Sequence, residues 1–142
     1  MNANPQLTGT WTIDTAHSRL GFVARHAMVT KVRGSFTDFA GTAVLDASDL
    51  GQSKVDLSIE VASVSTGNEQ RDGHLRTNDF FDAATHPKIH FATTGVEQVD
   101  DDTFRITGDL TIKDITKPVS VDFEFTGLAT DPYGNQRAGF EG

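Results

Sequence analysis

The densest polar run in this chain of 142 residues is Arg71-Asp72-Gly73-His74-Leu75-Arg76. Two guanidinium groups and an imidazole beside one carboxylate suit recognition of an anionic or carbonyl head group at the rim of a greasy cavity. The same side chains also suit tying a short helix to neighbouring strands, and residue type leaves both readings open. Other chemistries find less support. Ser18 follows His17, with Asp14 nearby, but neighbours on a strand face opposite sides, so the three do not read as a nucleophilic triad. No Gly-x-Ser-x-Gly elbow and no glycine-rich phosphate cradle occurs. His86 and His90 stand four apart, a helical spacing, yet Pro87 lies between them. With His17, His26 and His74 they show no spacing that predicts a metal site, and hydrogen-bonded structural roles are expected instead. Asp100-Asp101-Asp102 reads as a solvated hairpin tip rather than a cation site.

The elements that must position these groups are strands. Lys54-Val55-Asp56-Leu57-Ser58-Ile59-Glu60-Val61 is apolar at every second residue, and the pattern returns over residues 104–112 and 119–125. A period of two gives a strand with one dry and one wet face. Further extended runs are expected at 11–14, at 20–25, over a long stretch from Lys31 to Asp46, at 88–92 and from Gln136. Gly34 and Gly41 within the long stretch are expected to mark bends or bulges. Alternation stops between Thr66 and Asp82, where Asn68 is placed to cap one short helix from Glu69 to about Thr77. Lys113 to Pro118 reads as a connector, Asp131-Pro132-Tyr133-Gly134 as a turn, and residues 1–8 as a loose arm. Roughly eight strands and one helix, with no repeat or linker, imply a single all-β domain. With no long helix to cover the dry face, the sheet must curl on itself, and an antiparallel barrel of that size is either just filled or just able to hold one slender ligand.

Composition narrows the partners. Ten Phe stand against one Trp and one Tyr, which suits an interior that makes no hydrogen bonds. The net charge of −8 leaves no basic stripe for nucleic acid or an anionic membrane surface. There is no Cys, which excludes disulfides, a thiolate nucleophile and Cys-ligated metal. No run reaches the roughly 18 apolar residues of a membrane span, so an integral membrane protein is not expected. The start, Met1-Asn2-Ala3-Asn4-Pro5, lacks the pattern of a signal peptide. As written, the chain reads as cytoplasmic, or as periplasmic or secreted if a leader has been removed.

The run Ser65 to Arg76 followed by Asp79-Phe80-Phe81-Asp82 resembles the YceI-like family. Asp14-Thr15-Ala16-His17-Ser18, the segment from His26 through Gly34-Ser35-Phe36, and Gly108 to Ile112 with Thr116-Lys117-Pro118-Val119 agree with it. The resemblance implies a lipocalin-like, extended antiparallel β-barrel with an elongated apolar channel. It implies binding of long amphipathic lipids such as polyisoprenoids or quinone tails and does not imply an established catalytic activity; no catalytic residue, metal or cofactor is expected. Dry-face candidates for the lining are Phe22, Phe36, Leu57, Ile59, Phe91, Leu110, Ile112, Val121 and Phe123, some of them ordinary core. Head-group candidates are Arg71 and His74, with His17, His26 and Arg25 behind them. A protein that sequesters toxic hydrophobic compounds, or an enzyme acting on a lipid or quinone in the channel, would use the same cavity. The family pattern continues past Gly139-Phe140-Glu141 with further strand sequence, whereas this chain stops at Gly142. A single barrel domain over 1–142 lacking those strands is expected to leave an open edge and to self-associate or fold poorly, a homodimer being one associated state.

Overall fold

The structure, a computed structural model, describes residues 4–26 and 30–142, with the side chains of residues 25–30 outside the description. Its strands are β1 (Gly9–Thr12), β2 (Leu20–His26), β3 (Thr30–Phe36), β4 (Phe39–Leu45), β5 (Lys54–Glu60), β6 (Val64–Ser65), β7 (Lys88–Gln98), β8 (Thr103–Ile112), β9 (Ile115–Thr130) and β10 (Gln136–Glu141). Among the described residues there is one α-helix, α1 (Glu69–Leu75), which ends slightly sooner than its polar pattern suggests. Every ladder is antiparallel. Seven strands form one curled sheet in the order β1-β4-β5-β7-β8-β9-β10, and β2-β3-β6 form a second, small sheet.

The alternating pattern sets the register. Leu57, Phe91 and Leu110 line up across β5, β7 and β8, and Ile106 stands opposite Val121, with Phe104 opposite Phe123. A slip of one residue would send each of these to the wet face. Apolar packing gathers at two places. Phe36, Phe39, Ile59, Val61, Val64 and Ile89 are buried where the small sheet meets the large one, and Leu75 and Phe81 pack on them. Leu7 and Phe104 are buried in a second cluster with Trp11, Leu45, Phe125, Leu128 and Ala138. The N-terminal arm is therefore not loose at its end. Pro5–Leu7 forms a 3-10 turn, Leu7 is 3 % exposed, and Trp11 Nε1 donates to the Leu7 carbonyl at 2.8 Å.

Four expectations are corrected. The barrel is not closed: β1 and β10 are the edges of the large sheet and no ladder joins them among the described residues, which leaves a half-barrel. The physical reason is the reach of β10, which accompanies β9 only along residues 124–130, so β9 has no outer neighbour from Ile115 to Phe123. The connector expected at Lys113 to Pro118 shrinks to the turn Lys113-Asp114, and Pro118 lies within β9 opposite Asp109. Proline has no N–H to offer a ladder, and it sits on the stretch where β9 is an edge. The stretch Lys31 to Asp46 divides at Thr37-Asp38 into β3 and β4. Gly34 and Gly41 are not bulges, because both ladders pass through them without a shift. Each makes room for a facing side chain: a Cβ on Gly34 would meet the Phe22 ring at 2.5 Å, and one on Gly41 would meet Ile13 Cδ1 at 2.5 Å.

The half-barrel leaves apolar surface uncovered. The accessible area is 9336 Å², whereas a compact monomer of this mass exposes about 7100 Å². Ile115 on the free run of β9 is 61 % exposed and Val121 39 %.

Gly34→Ala is expected to lower stability by about 1–3 kcal/mol, because the new methyl meets the Phe22 ring and displaces it from its packing on Phe36; urea denaturation measures it. Pro118→Val restores a donor to the free edge of β9 and is expected to raise self-association at equal concentration, measured by light scattering.

Candidate functional site

Two turns of polar sequence build the site. Asn68 caps α1, its Oδ1 accepting from the Arg71 amide at 3.0 Å. The Asp72 side chain is turned inward, 3 % exposed, and accepts from Thr66 N at 2.9 Å and Thr66 Oγ1 at 2.5 Å. Arg76 donates Nε to the Ala62 carbonyl at 2.9 Å and Nη2 to Val64 at 3.3 Å. Asp72 and Arg76 thus fasten the helix to the strand before it. Arg71 bonds Thr66 through Nε at 2.8 Å and Nη2 at 2.9 Å but stays exposed, so its remaining N–H groups face outward.

Arg71 and His74 share an open hollow of about 390 Å³ with Asn68 and Gln70. His74 Nε2 lies 3.1 Å from Asp79 Oδ2, and the ring meets Phe80 edge-on at 5.0 Å. Phe80 is 48 % exposed. A guanidinium, an imidazole and two side-chain amides beside an open aromatic ring can bind an anion or a carbonyl oxygen with an apolar neighbour. Gln70 was not among the expected residues. Its signal was the helical spacing, since positions 70 and 74 fall on one face. Asp79 and Phe80 lie within the quoted resemblance, but nothing in their spacing announced the pairing with His74.

His17 lies elsewhere. Residues 15–17 form a turn rather than a strand, so the opposite-face argument did not apply, and His17 Nδ1 sits 2.7 Å from Asp14 Oδ2. Arg137 of β10 also pairs with Asp14, a partner 123 residues away that no local pattern announces. The bond from His17, helped by the charge of Arg137, holds the Asp14 carboxyl below its ordinary 3.8. Such a lowered group stabilises the fold above its unfolded value and loses that effect as pH falls through the lowered one. The Arg25 and His26 side chains lie outside the described residues. His86 is 3.5 Å from Asp114 Oδ1, and His90 is exposed on β7. Among the described residues no group of three or more His, Asp or Glu is gathered to hold a metal ion.

The nine lining candidates divide. Phe36 and Ile59 are buried in the first cluster, with Phe22, Leu57, Leu110 and Ile112 packed against it. Phe91 and Phe123 are half-buried, and Val121 is exposed. Beside the second cluster an apolar hollow lined by Leu7, Leu45, Phe104 and Phe140, among others, measures about 40 Å³. Ligand pockets hold about 300–1,000 Å³. The expected elongated channel is thus an open concave face with a small hollow at one end, β9 having no outer neighbour from Ile115 to Phe123 among the described residues.

Curled antiparallel sheet, small second sheet, capped helix and concave apolar face define an all-β half-barrel. The chain belongs to the YceI-like family, whose domain model matches residues 11–142. It is similar to a UPF0312 protein of Azotobacter vinelandii, 40 % identical over 126 residues, covering 89 % of this chain and 66 % of that one. The chain therefore spans about two thirds of that relative's length. Among solved structures it is similar to the Campylobacter jejuni YCEI protein, with 35 % identity, 92 % of this chain and 76 % of that one covered, and a TM-score of 0.72. It also shares its fold with a polyisoprenoid binding domain from Saccharophagus degradans implicated in plant cell wall breakdown, at 19 % identity, 83 % and 67 % coverage and a TM-score of 0.65. No helix among the described residues is long and apolar enough to cross a membrane.

Asp72→Ala strands two donors of Thr66 and is expected to cost about 1–3 kcal/mol. The midpoint of urea denaturation should fall accordingly.

Proposed function

We propose that the protein binds one long amphipathic lipid, with a polyisoprenoid or quinone-type tail, and acts as a carrier or store rather than an enzyme. The observation that carries this reading is the uncovered apolar face, where Ile115, Val121 and Phe140 are 61 %, 39 % and 41 % exposed on a concave sheet. Covering roughly 400 Å² of such surface gains on the order of 10 kcal/mol before ordering costs are subtracted. A hydrocarbon chain supplies that area without a polar contact, so the tail provides affinity and little discrimination. Discrimination then falls to the head group, and the hollow of Arg71 and His74 offers it a cation, an imidazole and amides. The polyisoprenoid binding domain with the same fold supports the compatibility of this architecture with such a tail.

The first test is native mass spectrometry of protein purified from its host, followed by organic extraction of whatever accompanies it. A co-purifying isoprenoid or quinone is the expected result. Val121→Glu places a charge on the face and should weaken uptake of a fluorescent prenyl lipid about tenfold or more while leaving thermal stability near wild type. Unchanged uptake would remove the face from the binding path. Arg71→Ala and His74→Ala should change the preference among prenyl alcohol, prenyl phosphate and quinone head groups, with tail affinity largely kept. Indifference of wild type and variants alike to the head group rejects the assignment of that hollow.

A further inference from the structure

The net charge of −8 is not spread evenly. Between Asp14 and Asp38 the chain has no Asp or Glu and carries Arg19, Arg25, Lys31 and Arg33. The rest holds eight of the twelve Lys and Arg and all twenty Asp and Glu. The segment therefore stands at +4 and the remainder at −12. A negative total speaks against an anionic partner for the molecule as a whole, but not for this segment.

The fold makes the segment into the hairpin of the small sheet. β2 and β3 pair with Val23 opposite Arg33. Residues directly opposite share a face of the sheet, as do residues two apart along one strand. Val23, Lys31 and Arg33 therefore lie on one face of the hairpin. Phe22 and Phe36 take the other, Phe36 buried in the first cluster and Phe22 packed against it. The charged face is thus the outer one, and its exposure follows from the core behind it. Arg19, Lys31 and Arg33 are exposed, and no ion pair holds any of them among the described residues. Val23 is 54 % exposed.

The outer face of the large sheet has the opposite character. Asp56, Glu60, Glu97, Asp109 and Asp122 lie on the side away from Leu57, Phe91 and Leu110. Sheets packed face to face stand about 10 Å apart, comparable with the screening length at 0.1 M salt. A surface that meets the hairpin therefore feels its cations with little cancellation from those acids.

We propose that the outer face of the β2–β3 hairpin docks on the surface of an anionic phospholipid bilayer. The cations attract the lipid phosphates, and the Val23 side chain enters the boundary between head groups and acyl chains. Nucleic acid fits less well, because Phe22 and Phe36, the only Phe, Tyr or Trp of the segment, are turned to the core and leave no ring for a base to stack on. The inference stands on the charge map rather than on the lipid-binding reading, to which it adds a place where cargo is exchanged.

Co-sedimentation at low salt with vesicles of phosphatidylglycerol and phosphatidylcholine in equal parts, against phosphatidylcholine alone, tests it. Wild type should partition onto the mixed vesicles about tenfold or more above the neutral ones, and added salt should abolish the difference. Each Lys or Arg near such a surface is worth about fivefold in partitioning, so Lys31→Glu/Arg33→Glu should remove the preference. Lys54→Glu/Lys88→Glu changes the net charge equally at exposed positions on the outer face of the large sheet, and partitioning should stay within about threefold of wild type. Equal loss in both variants, or no preference in wild type, overturns the proposal. The chain has no Cys, so a polarity-sensitive dye on Val23→Cys reports the contact directly. Its emission should move to shorter wavelength on the mixed vesicles, whereas the same dye on Thr42→Cys, on the outer face of the large sheet, should not respond. Equal responses at the two positions overturn the proposal. So does self-association without vesicles that Lys31→Glu/Arg33→Glu abolishes, which would assign the face to a second copy. Docking without uptake of a prenyl lipid would uphold this inference and reject the cargo reading.

Discussion

The loss of an outer partner by β9 at Phe123 governs the rest of this molecule. β10 accompanies β9 along residues 124–130. Above that point β9 is covered and the interior fills with Phe104, Phe125 and Leu128. Below it the same dry face looks into solvent. Pro118 tolerates this because it has no donor to leave unpaired, while Ile115 and Val121 have no such accommodation. The small sheet and the helix close the opposite end, where Phe36 and Phe81 pack edge-on. The exposure of Ile115 and Val121 and the edge position of Pro118 belong to the same unaccompanied run of β9.

The polar cluster shows how one run of residues serves two ends. Thr66 is gripped twice, by the Asp72 carboxylate and by the Arg71 guanidinium. That grip fixes the first turn of α1 and so determines where His74 projects. Rigidity inside and reactivity outside come from adjacent residues, because a helix of this length sends positions 71 and 74 outward when position 72 points in.

Much of this was legible in the residues themselves. Strict alternation over 54–61 and 104–112 named the strands and their dry faces, since period two has no other common cause. Asn68 announced the helix start through its capping chemistry. Three things were hidden. Gly34 and Gly41 look like breaks in a strand but serve as floors for Phe22 and Ile13, a relation set by the facing strand. Leu7 looks like part of a tail and is core, because only the folded sheet brings Phe104 to it. The Arg137–Asp14 pair joins positions 123 apart, and no window along the chain contains both. Closure was overestimated for a related reason: alternation says that a face must be covered, not which residues cover it.

One feature of the N-terminal side carries a practical benefit. Trp11 is the single tryptophan, it is half-buried, and its indole nitrogen is bonded to the Leu7 carbonyl at 2.8 Å. The molecule therefore contains one indole fluorophore, seated in the cluster that Leu7 shares with Phe104. Wetting of that indole would shift its emission to longer wavelength, so its colour reports directly on the packing around Leu7.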